Sequence, residues 1–229
     1  MYYQEESLPI ITLDELIRAG FHFGHRTSRW NPKMEPYIFG KHNLIHIVDL
    51  RETLRGLITA HKFLTKLSAT GKEVLFVGTK WQAHSAVARE AKRAGMHFVN
   101  ERWLGGTLTN FDTISLRLKH LKELEELLSS EGVSQYSKKM ISSLNREAKK
   151  LRKNLGGIRN MTEPPGAVIV VDPNREITAV KEANKLGIPA ICLTDTDCDP
   201  DLIDICVPGN DDAMRSIEVF LSKMTDAIL

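Results

Sequence analysis

The chain has 229 residues, of which 42% are hydrophobic and 26% are charged, and its net charge is +2. This composition is ordinary for a globular protein, and the net charge alone does not indicate a nucleic-acid partner. No apolar run approaches the roughly 18 residues of a membrane-spanning helix, so no span is predicted. The acidic N-terminal sequence "MYYQEESLPIITLDE" is likewise expected not to be a signal peptide.

The N-terminal part of the chain predicts a short helix and then an ordered loop. In "TLDELIRAG", Thr12 and Glu15 have capping-box spacing, and Gly20 suits the end of the helix. The next stretch, "FHFGHRTSRWNPKMEPYIFGKHN", mixes Gly, Pro and Asn with aromatic residues, which is typical of an ordered loop. "LIHIVDL" predicts a strand, and "RETLRGLITAHKFLTKLSATG" predicts a helix. The buried side of that helix is expected to contain Leu54, Leu57, Ile58, Phe63 and Leu64.

Apolar strands then alternate with amphipathic helices. The continuous apolar runs in "KEVLFVGTK", "MHFVN", "GAVIVVDPN" and "IPAICLTDT" are typical of strands covered on both faces. Helical patterns lie between and after them in "WQAHSAVAREAKRAG", "REITAVKEANKLG" and "DAMRSIEVFLSKM". This alternation predicts an α/β fold, with a parallel sheet of five or six strands between two layers of helices.

The segment 109–155 breaks the alternation because it has no strand signal. Its apolar residues form two helical stripes on either side of "SSEGVSQYS". The stripes are Ile114, Leu118, Leu121, Leu124 and Leu128, then Ile141, Leu144, Ala148, Leu151 and Leu155. We therefore predict an antiparallel coiled-coil hairpin at 109–155, inserted in an α/β domain made of 1–108 and 156–229. The second helix is strongly basic, which favours an anionic partner, although a structural flap or dimer arm is the alternative.

The small net charge hides two regions of opposite sign. From Arg18 to Lys41 there are five basic residues and one acidic residue, Glu35. Between Leu186 and Met214 there are seven aspartates and no Lys or Arg. The first region is expected to meet phosphate and the second to avoid it, although two solvated loops would show the same pattern.

Motifs for small-molecule chemistry are weak. The G-x-G-x-x-G and P-loop patterns are absent, and Gly78-Thr79-Lys80 is interpreted as a strand-to-helix turn with a basic surface residue. The acidic "DTDCDPDLIDIC" has EF-hand-like spacing, but Pro200 and Cys206 occupy its glycine and glutamate positions. The three cysteines lack a C-x-x-C pair and are expected to be reduced thiols. We predict no catalytic residue, metal or cofactor, with a nucleotide-using enzyme or a flavin or signalling module as the alternatives.

The stretch "NERWLGGTLTNF" joins a strand to the predicted hairpin. Its paired glycines allow the backbone to approach a partner or another loop closely. Arg102 is expected to meet phosphate, whereas Trp103 is expected in the core. Thr109 or Asn110 is expected to cap the first hairpin helix. In the loop before it, Phe21, Phe23 and Phe39 are expected to anchor the chain to the sheet.

Six motifs occur in order from about Leu13 to Leu221: "AGFHFGHRTSRWNPKMEPYIFG", "VLFVGTK", "NERWLGGTLTNF", "LGGIRNM", "VKEANKLGIP" and "VPGNDDA". Together they resemble the bacterial and organellar family of the second protein of the small ribosomal subunit. Trp81 departs from the family pattern, where a smaller or polar residue is expected.

The resemblance implies a flavodoxin-like fold with a projecting coiled-coil hairpin. It also implies a structural protein, not an enzyme, bound to rRNA of the small subunit, in the cytoplasm or in an organelle. Neighbouring ribosomal proteins, and the large multi-OB-fold protein that captures messenger RNA, are the implied protein partners; no membrane or small-molecule substrate is implied. The candidate RNA contacts are His25, Arg26, Arg29, Trp30, Asn31, Lys33, Lys80, Arg102, Thr107, Asn110, Lys149, Lys150, Arg152, Lys153 and Arg159.

Overall fold

The computed structural model describes residues 11–130 and 136–229. Its helices are α1 (Leu13–Ala19), α2 (Leu50–Ala69), α3 (His84–Arg93), α4 (Phe111–Ser129), α5 (Lys138–Leu155), α6 (Ile177–Leu186) and α7 (Met214–Ile228). Its strands are β1 (Phe23–Arg26), β2 (Ile38–His42), β3 (Ile45–Val48), β4 (Val74–Val77), β5 (His97–Val99), β6 (Ala167–Val171), β7 (Ala190–Thr194) and β8 (Ile205–Pro208). None of the described helices is both long and apolar enough to cross a membrane.

Five parallel strands form the main sheet, in the order β5-β4-β6-β7-β8. This is the flavodoxin-like order, in which the chain first builds β4 and β5 and then continues on the other side of β4. The predicted α/β fold with a parallel sheet of five or six strands is therefore confirmed, and the sheet has five strands. The strand order reverses between β4 and β6, and this switch point is where doubly wound proteins commonly bind ligands.

The sheet is covered by helices on both faces, which explains its continuous apolar sequence. Every residue of β4, β6 and β7 is buried. On one face Phe76 and Leu193 join a core with residues of α2, α3 and α7, and on the other Leu75 and Val168 join a core with residues of α4 and α6. Full burial of each such large apolar side chain stabilises the fold by about 1.5–3 kcal/mol.

The N-terminal region forms a separate three-stranded antiparallel sheet in the order β1-β3-β2. The strand predicted in "LIHIVDL" is present as β3, but it belongs to this small sheet. The predicted capping box of α1 is confirmed, and Gly20 ends that helix with a φ of 82°. Phe21 is buried as expected, whereas Phe23 and Phe39 are exposed, so their predicted anchoring role is wrong.

The predicted burial pattern of α2 is correct except at one position. Leu57 and Leu64 are fully buried, and Leu54 and Phe63 pack against the same core. Ile58 is 40% exposed, so its predicted burial is wrong. A helix has 3.6 residues per turn, which turns Ile58 about 100° away from Leu57 and out of the core.

Helices α4 and α5 occupy the predicted hairpin segment and contact each other. Ile114, Leu118 and Leu155 share a core with the main sheet, so the base of the pair is joined to the α/β layer. Two interhelical pairs, His120–Glu147 and Glu125–Arg152, each join residues 27 positions apart. In a straight antiparallel pair, residues later in the first helix would contact residues earlier in the second, so the separation in sequence would differ between the two contacts. The coiled-coil geometry therefore stays a prediction. The central residues of the predicted turn, 131–135, lie outside the described residues.

Candidate nucleic-acid interface

Residues 21–43, which were predicted as an ordered loop, contain β1 and β2, and we call them the N-terminal loop. The N-terminal loop lies against the acidic loop that follows β7. The backbone N–H of His25 donates to Asp195 and Thr196, and the N–H of Asn31 donates to the carbonyl of Thr196. At Gly24 the two loops approach so closely that a Cβ atom would lie 2.7 Å from the Thr196 side chain. The loop therefore has a fixed position on the carboxyl end of the sheet.

Ion pairs between the two oppositely charged regions reinforce this contact. Lys33 Nζ lies 2.8 Å from Asp199 and 2.6 Å from Asp201. His25 Nδ1 lies 2.8 Å from Asp195, and its other ring nitrogen lies 3.6 Å from Asp212. His25 and Lys33 are thus engaged by carboxylates of the same chain, and their predicted RNA contacts are not supported by this arrangement.

The environment of His25 favours its charged form. The hydrogen bond to Asp195 raises the pKa of His25 to about 9, burial opposes the rise, and nearby Asp197 and Asp211 add to it. An imidazolium is therefore held between the loop backbone and the acidic residues near neutral pH. The positive charge of His25 therefore holds the loop in place and is not directed to solvent.

Arg26 and Arg29 are exposed cations of this loop. No ion pair joins either of them to another described residue. Asn31 instead stabilises a turn, since its side chain accepts a hydrogen bond from the Lys33 N–H. Trp30 is half-buried, with its ring 5.1 Å from that of His46.

Lys80 is not the surface residue that its sequence context predicted. Its ammonium lies 2.6 Å from Asp211, 2.6 Å from Asp212 and 3.4 Å from Asp172, at the switch point of the sheet. Burial lowers the pKa of Lys80, but these carboxylates outweigh that effect and raise it overall. With its side chain only 11% exposed, Lys80 neutralises internal acids and is not positioned for RNA contact.

Among the described residues, three side chains in and beside this cluster form a group whose geometry could suit a metal ion. Ligand atoms of Asp172, Cys198 and Asp211 lie within 4.8 Å of one another. However, the Lys80 ammonium already supplies positive charge to both carboxylates. Burial raises the pKa of the Cys198 thiol, which keeps it protonated and makes it a poor ligand. The arrangement is better described as an internal ion-pair cluster.

Glu182 of α6 organises the loop that leads into α4. Its carboxylate accepts hydrogen bonds from the Trp103 indole and from the backbone N–H groups of Gly106, Leu108 and Thr109. Burial pushes the pKa of Glu182 upward, but these donors outweigh it and lower the pKa overall. The carboxylate is therefore charged and replaces a conventional side-chain cap at this end of α4.

This arrangement settles several expectations for the loop. Trp103 is buried in the core as predicted, while Arg102 is exposed. Thr107 is only 2% exposed and its hydroxyl donates to the Leu104 carbonyl, so its side chain is not available to RNA. Asn110 stands at the cap position but makes no capping bond; its side chain accepts from Thr113 instead.

The basic residues at the end of α5 separate into two groups. Arg152 and Arg159 both bind Glu125, at 2.8 and 2.7 Å, and Lys153 binds Glu101 at 3.0 Å. These predicted RNA contacts are occupied within the chain. Lys149 and Lys150 are exposed, and neither forms an ion pair within the described ranges.

Comparison with known proteins identifies the family. The family model described as ribosomal protein S2 matches residues 16–229, which is almost the entire chain. The chain belongs to the ribosomal protein S2 family. The resemblance in the six motifs is thereby confirmed, and the flavodoxin-like sheet is the fold on which this S2 family member displays its charged surface.

Several curated relatives are similar over most of their length. A protein of Rhodopirellula baltica named small ribosomal subunit protein uS2 is 57% identical over 215 residues, covering 94% of this chain and 83% of the relative. A protein of the same name from Syntrophobacter fumaroxidans is 53% identical over 220 residues, covering 96% and 80%. That of Lawsonia intracellularis is 52% identical over 219 residues, covering 96% and 75%.

Proposed function

We propose that this S2 family member is a structural constituent of the small ribosomal subunit that binds small-subunit rRNA in the cytoplasm. The observation that carries the RNA contact is that Arg26 and Arg29 are exposed and form no ion pair with any described residue, on a loop fixed by the ion pairs of His25 and Lys33. Relatives named as small-subunit proteins support the assignment to that particle. We further propose neighbouring ribosomal proteins, and the multi-OB-fold protein that captures messenger RNA, as its protein partners.

The proposed mechanism is placement rather than catalysis. A-form RNA hides its base edges in a deep, narrow groove, so a protein recognises mainly its phosphates, sugars and shape. Phosphate contacts then fix the register of the two molecules. Because the loop is already held against the sheet by His25 and Lys33, Arg26 and Arg29 lose little conformational freedom on binding.

The switch point of the sheet favours this function over a nucleotide-using enzyme or a flavin module. In flavodoxin-like folds a ligand enters the crevice at the carboxyl ends of the strands. Here that crevice contains Lys80 with Asp172, Asp211 and Asp212. The Lys80 ammonium is already bound by these acidic side chains, so the crevice offers a phosphate group no unpaired positive charge.

The proposal is tested by following a tagged chain through a sucrose gradient of a cell lysate. We expect the wild-type chain to sediment with small ribosomal subunits. We expect the double variant Arg26→Glu/Arg29→Glu to remain near the top, since two attractive contacts with phosphate become repulsive. Lys33 is left unchanged because reversing its charge would disrupt the loop through Asp199 and Asp201.

The matched control is Lys66→Glu/Lys72→Glu, which reverses two exposed charges on and just after α2. This control should enter subunits normally. Normal incorporation of a folded Arg26→Glu/Arg29→Glu variant would show that the loop is not part of the RNA interface. Absence of the wild-type chain from the small-subunit fraction would refute the proposed function itself.

A further inference from the structure

A concave surface lies where the loop before α4 meets the two helices α4 and α5. We call it the junction recess, and its volume is about 420 Å³. The residues that matter for its chemistry are Arg102, Trp103, Leu104, Arg117, Lys150 and Leu151. They come from three segments of the chain, so the recess exists only because the Glu182-bound loop and the two helices are held together.

Three cations surround the junction recess without a carboxylate partner. Arg102, Arg117 and Lys150 are exposed, and no ion pair joins any of them to a residue in 11–130 or 136–229. This contrasts with the adjacent basic residues Arg152 and Lys153, which are bound by Glu125 and Glu101. Within the part of the chain that the structure describes, the cations beside the recess are therefore neutralised and those of the recess are not.

One acidic residue also lines the recess, but it has a partner. Glu147 accepts a hydrogen bond from the His120 ring at 3.2 Å on the neighbouring helix. The formal charge of the lining is then three positive charges against one negative charge. A concave surface with this excess of positive charge attracts anions more strongly than a flat one, because its low-dielectric walls concentrate the field.

The recess also offers apolar surface next to the cations. Leu104 and Leu151 are half-buried and pack against the core that contains Trp103. Trp103 itself is 9% exposed and its indole N–H is bound to Glu182, so it supports the recess as a fixed wall. An inorganic anion would use only the charges, whereas a nucleotide presents phosphate together with a sugar and base that can cover apolar surface.

We propose that the junction recess binds one unpaired nucleotide of the rRNA, with its flanking phosphates at Arg102, Arg117 and Lys150. Its sugar or base covers Leu104 and Leu151. This inference rests on the proposed rRNA-binding function and assigns it a second site, separate from the N-terminal loop. Arginine suits the role because its planar guanidinium can donate two parallel hydrogen bonds to phosphate. The ion pairs of Glu125 with Arg152 and Arg159 position the helices that carry the site.

The test compares the wild-type full chain with Arg102→Gln/Arg117→Gln/Lys150→Gln for binding to a small-subunit rRNA transcript over a range of salt concentrations. At low salt the triple variant should bind about tenfold more weakly or worse, the effect of losing hydrogen bonds to charged groups. Its plot of log affinity against log salt should be shallower by about one to two units, because one nucleotide brings two flanking phosphates.

The matched control is Lys119→Gln, which removes an exposed charge from α4 two residues after Arg117. Two residues correspond to about 200° around a helix, so Lys119 faces away from the recess. This control should keep the wild-type affinity and salt slope. Arg117→Lys, which keeps the charge, should retain most of the slope and guards against a folding effect of the triple change.

The possible outcomes distinguish failure of the recess proposal from failure of the proposed rRNA-binding function. A folded triple variant with the wild-type affinity and salt slope overturns the recess proposal and leaves the rRNA-binding function standing. A triple variant that binds rRNA normally but fails to enter small subunits would assign the recess to a neighbouring protein, which also overturns it. If the wild-type chain itself does not bind the transcript, the proposed rRNA-binding function fails.

Discussion

At the scale of single residues, Glu182 shows how one buried carboxylate can organise a loop. Gly106 adopts a φ of 88°, a backbone conformation that favours glycine, and its N–H points to Glu182. The paired glycines therefore serve a contact within the chain, one of the two roles that the sequence left open. The sequence could not choose between these roles, because Glu182 lies 76 positions from Gly106 and no local pattern shows that the two segments meet.

The substitution Glu182→Ala should destabilise the protein by about 3 kcal/mol, since buried donors at Trp103 and Leu108 would lose their acceptor. Urea unfolding followed by Trp fluorescence measures the change in the free energy of unfolding. The control Lys181→Ala alters an exposed residue of the same helix and should change stability by less than about 0.5 kcal/mol. Equal stability of Glu182→Ala and wild type would show that the loop does not depend on this carboxylate.

At the scale of elements, local patterns predicted the helices and the strands β3 to β7, but they missed β1, β2 and β8 and the long-range pairing between segments. The alternation of apolar runs specifies β4, β6 and β7 because each must be covered on both faces. By contrast, the contact between His25 and Asp195 joins residues 170 positions apart. Opposite charge made attraction between the two regions reasonable, but only the strand order brings the N-terminal loop to the end of β7.

The pairing of the N-terminal loop with Asp195 should depend on pH. The pKa of His25 is raised from 6.5 to about 9 in the folded state, mainly by the hydrogen bond to Asp195. A raised pKa means that the folded state binds the proton more tightly, so this contribution to stability is complete below about pH 6.5. It should be lost as the pH rises from 6.5 through 9.

This prediction is measured as the difference in unfolding free energy between wild type and His25→Gln at several pH values. The difference should be largest at pH 6 and should shrink steadily toward pH 9.5. The two proteins are compared because burial raises the pKa of Asp211, near His25, to about 8, so this residue titrates in the same pH range. A difference that stays constant between pH 6 and 9.5 would mean that His25 is not charged in the folded protein.

At the scale of the whole molecule, the structure divides the basic residues into those used for folding and those left for a partner. Ten of the candidate RNA contacts predicted from sequence are Lys or Arg residues. Positive residues can be read directly from a sequence, whereas their ion-pair partners cannot. Lys33, Lys80, Arg152, Lys153 and Arg159 form ion pairs within the chain. Arg26, Arg29, Arg102, Lys149 and Lys150 remain exposed with no such pair in the described chain, and Arg117 joins them through the junction recess.

This division predicts how strongly salt should weaken rRNA binding by the intact protein. Each neutralised phosphate contributes about −0.7 to −0.9 to the slope of log affinity against log salt. These six cations alone would give a slope of about −4 to −5, whereas the ten cations nominated by sequence would give about −7 to −9. Filter binding of the wild-type chain to a small-subunit rRNA transcript between low and physiological salt measures the slope. A slope of about −7 or steeper would contradict this division, because either further exposed cations such as Lys138, Lys139 and Arg146 contact phosphate or the internal ion pairs open when RNA binds.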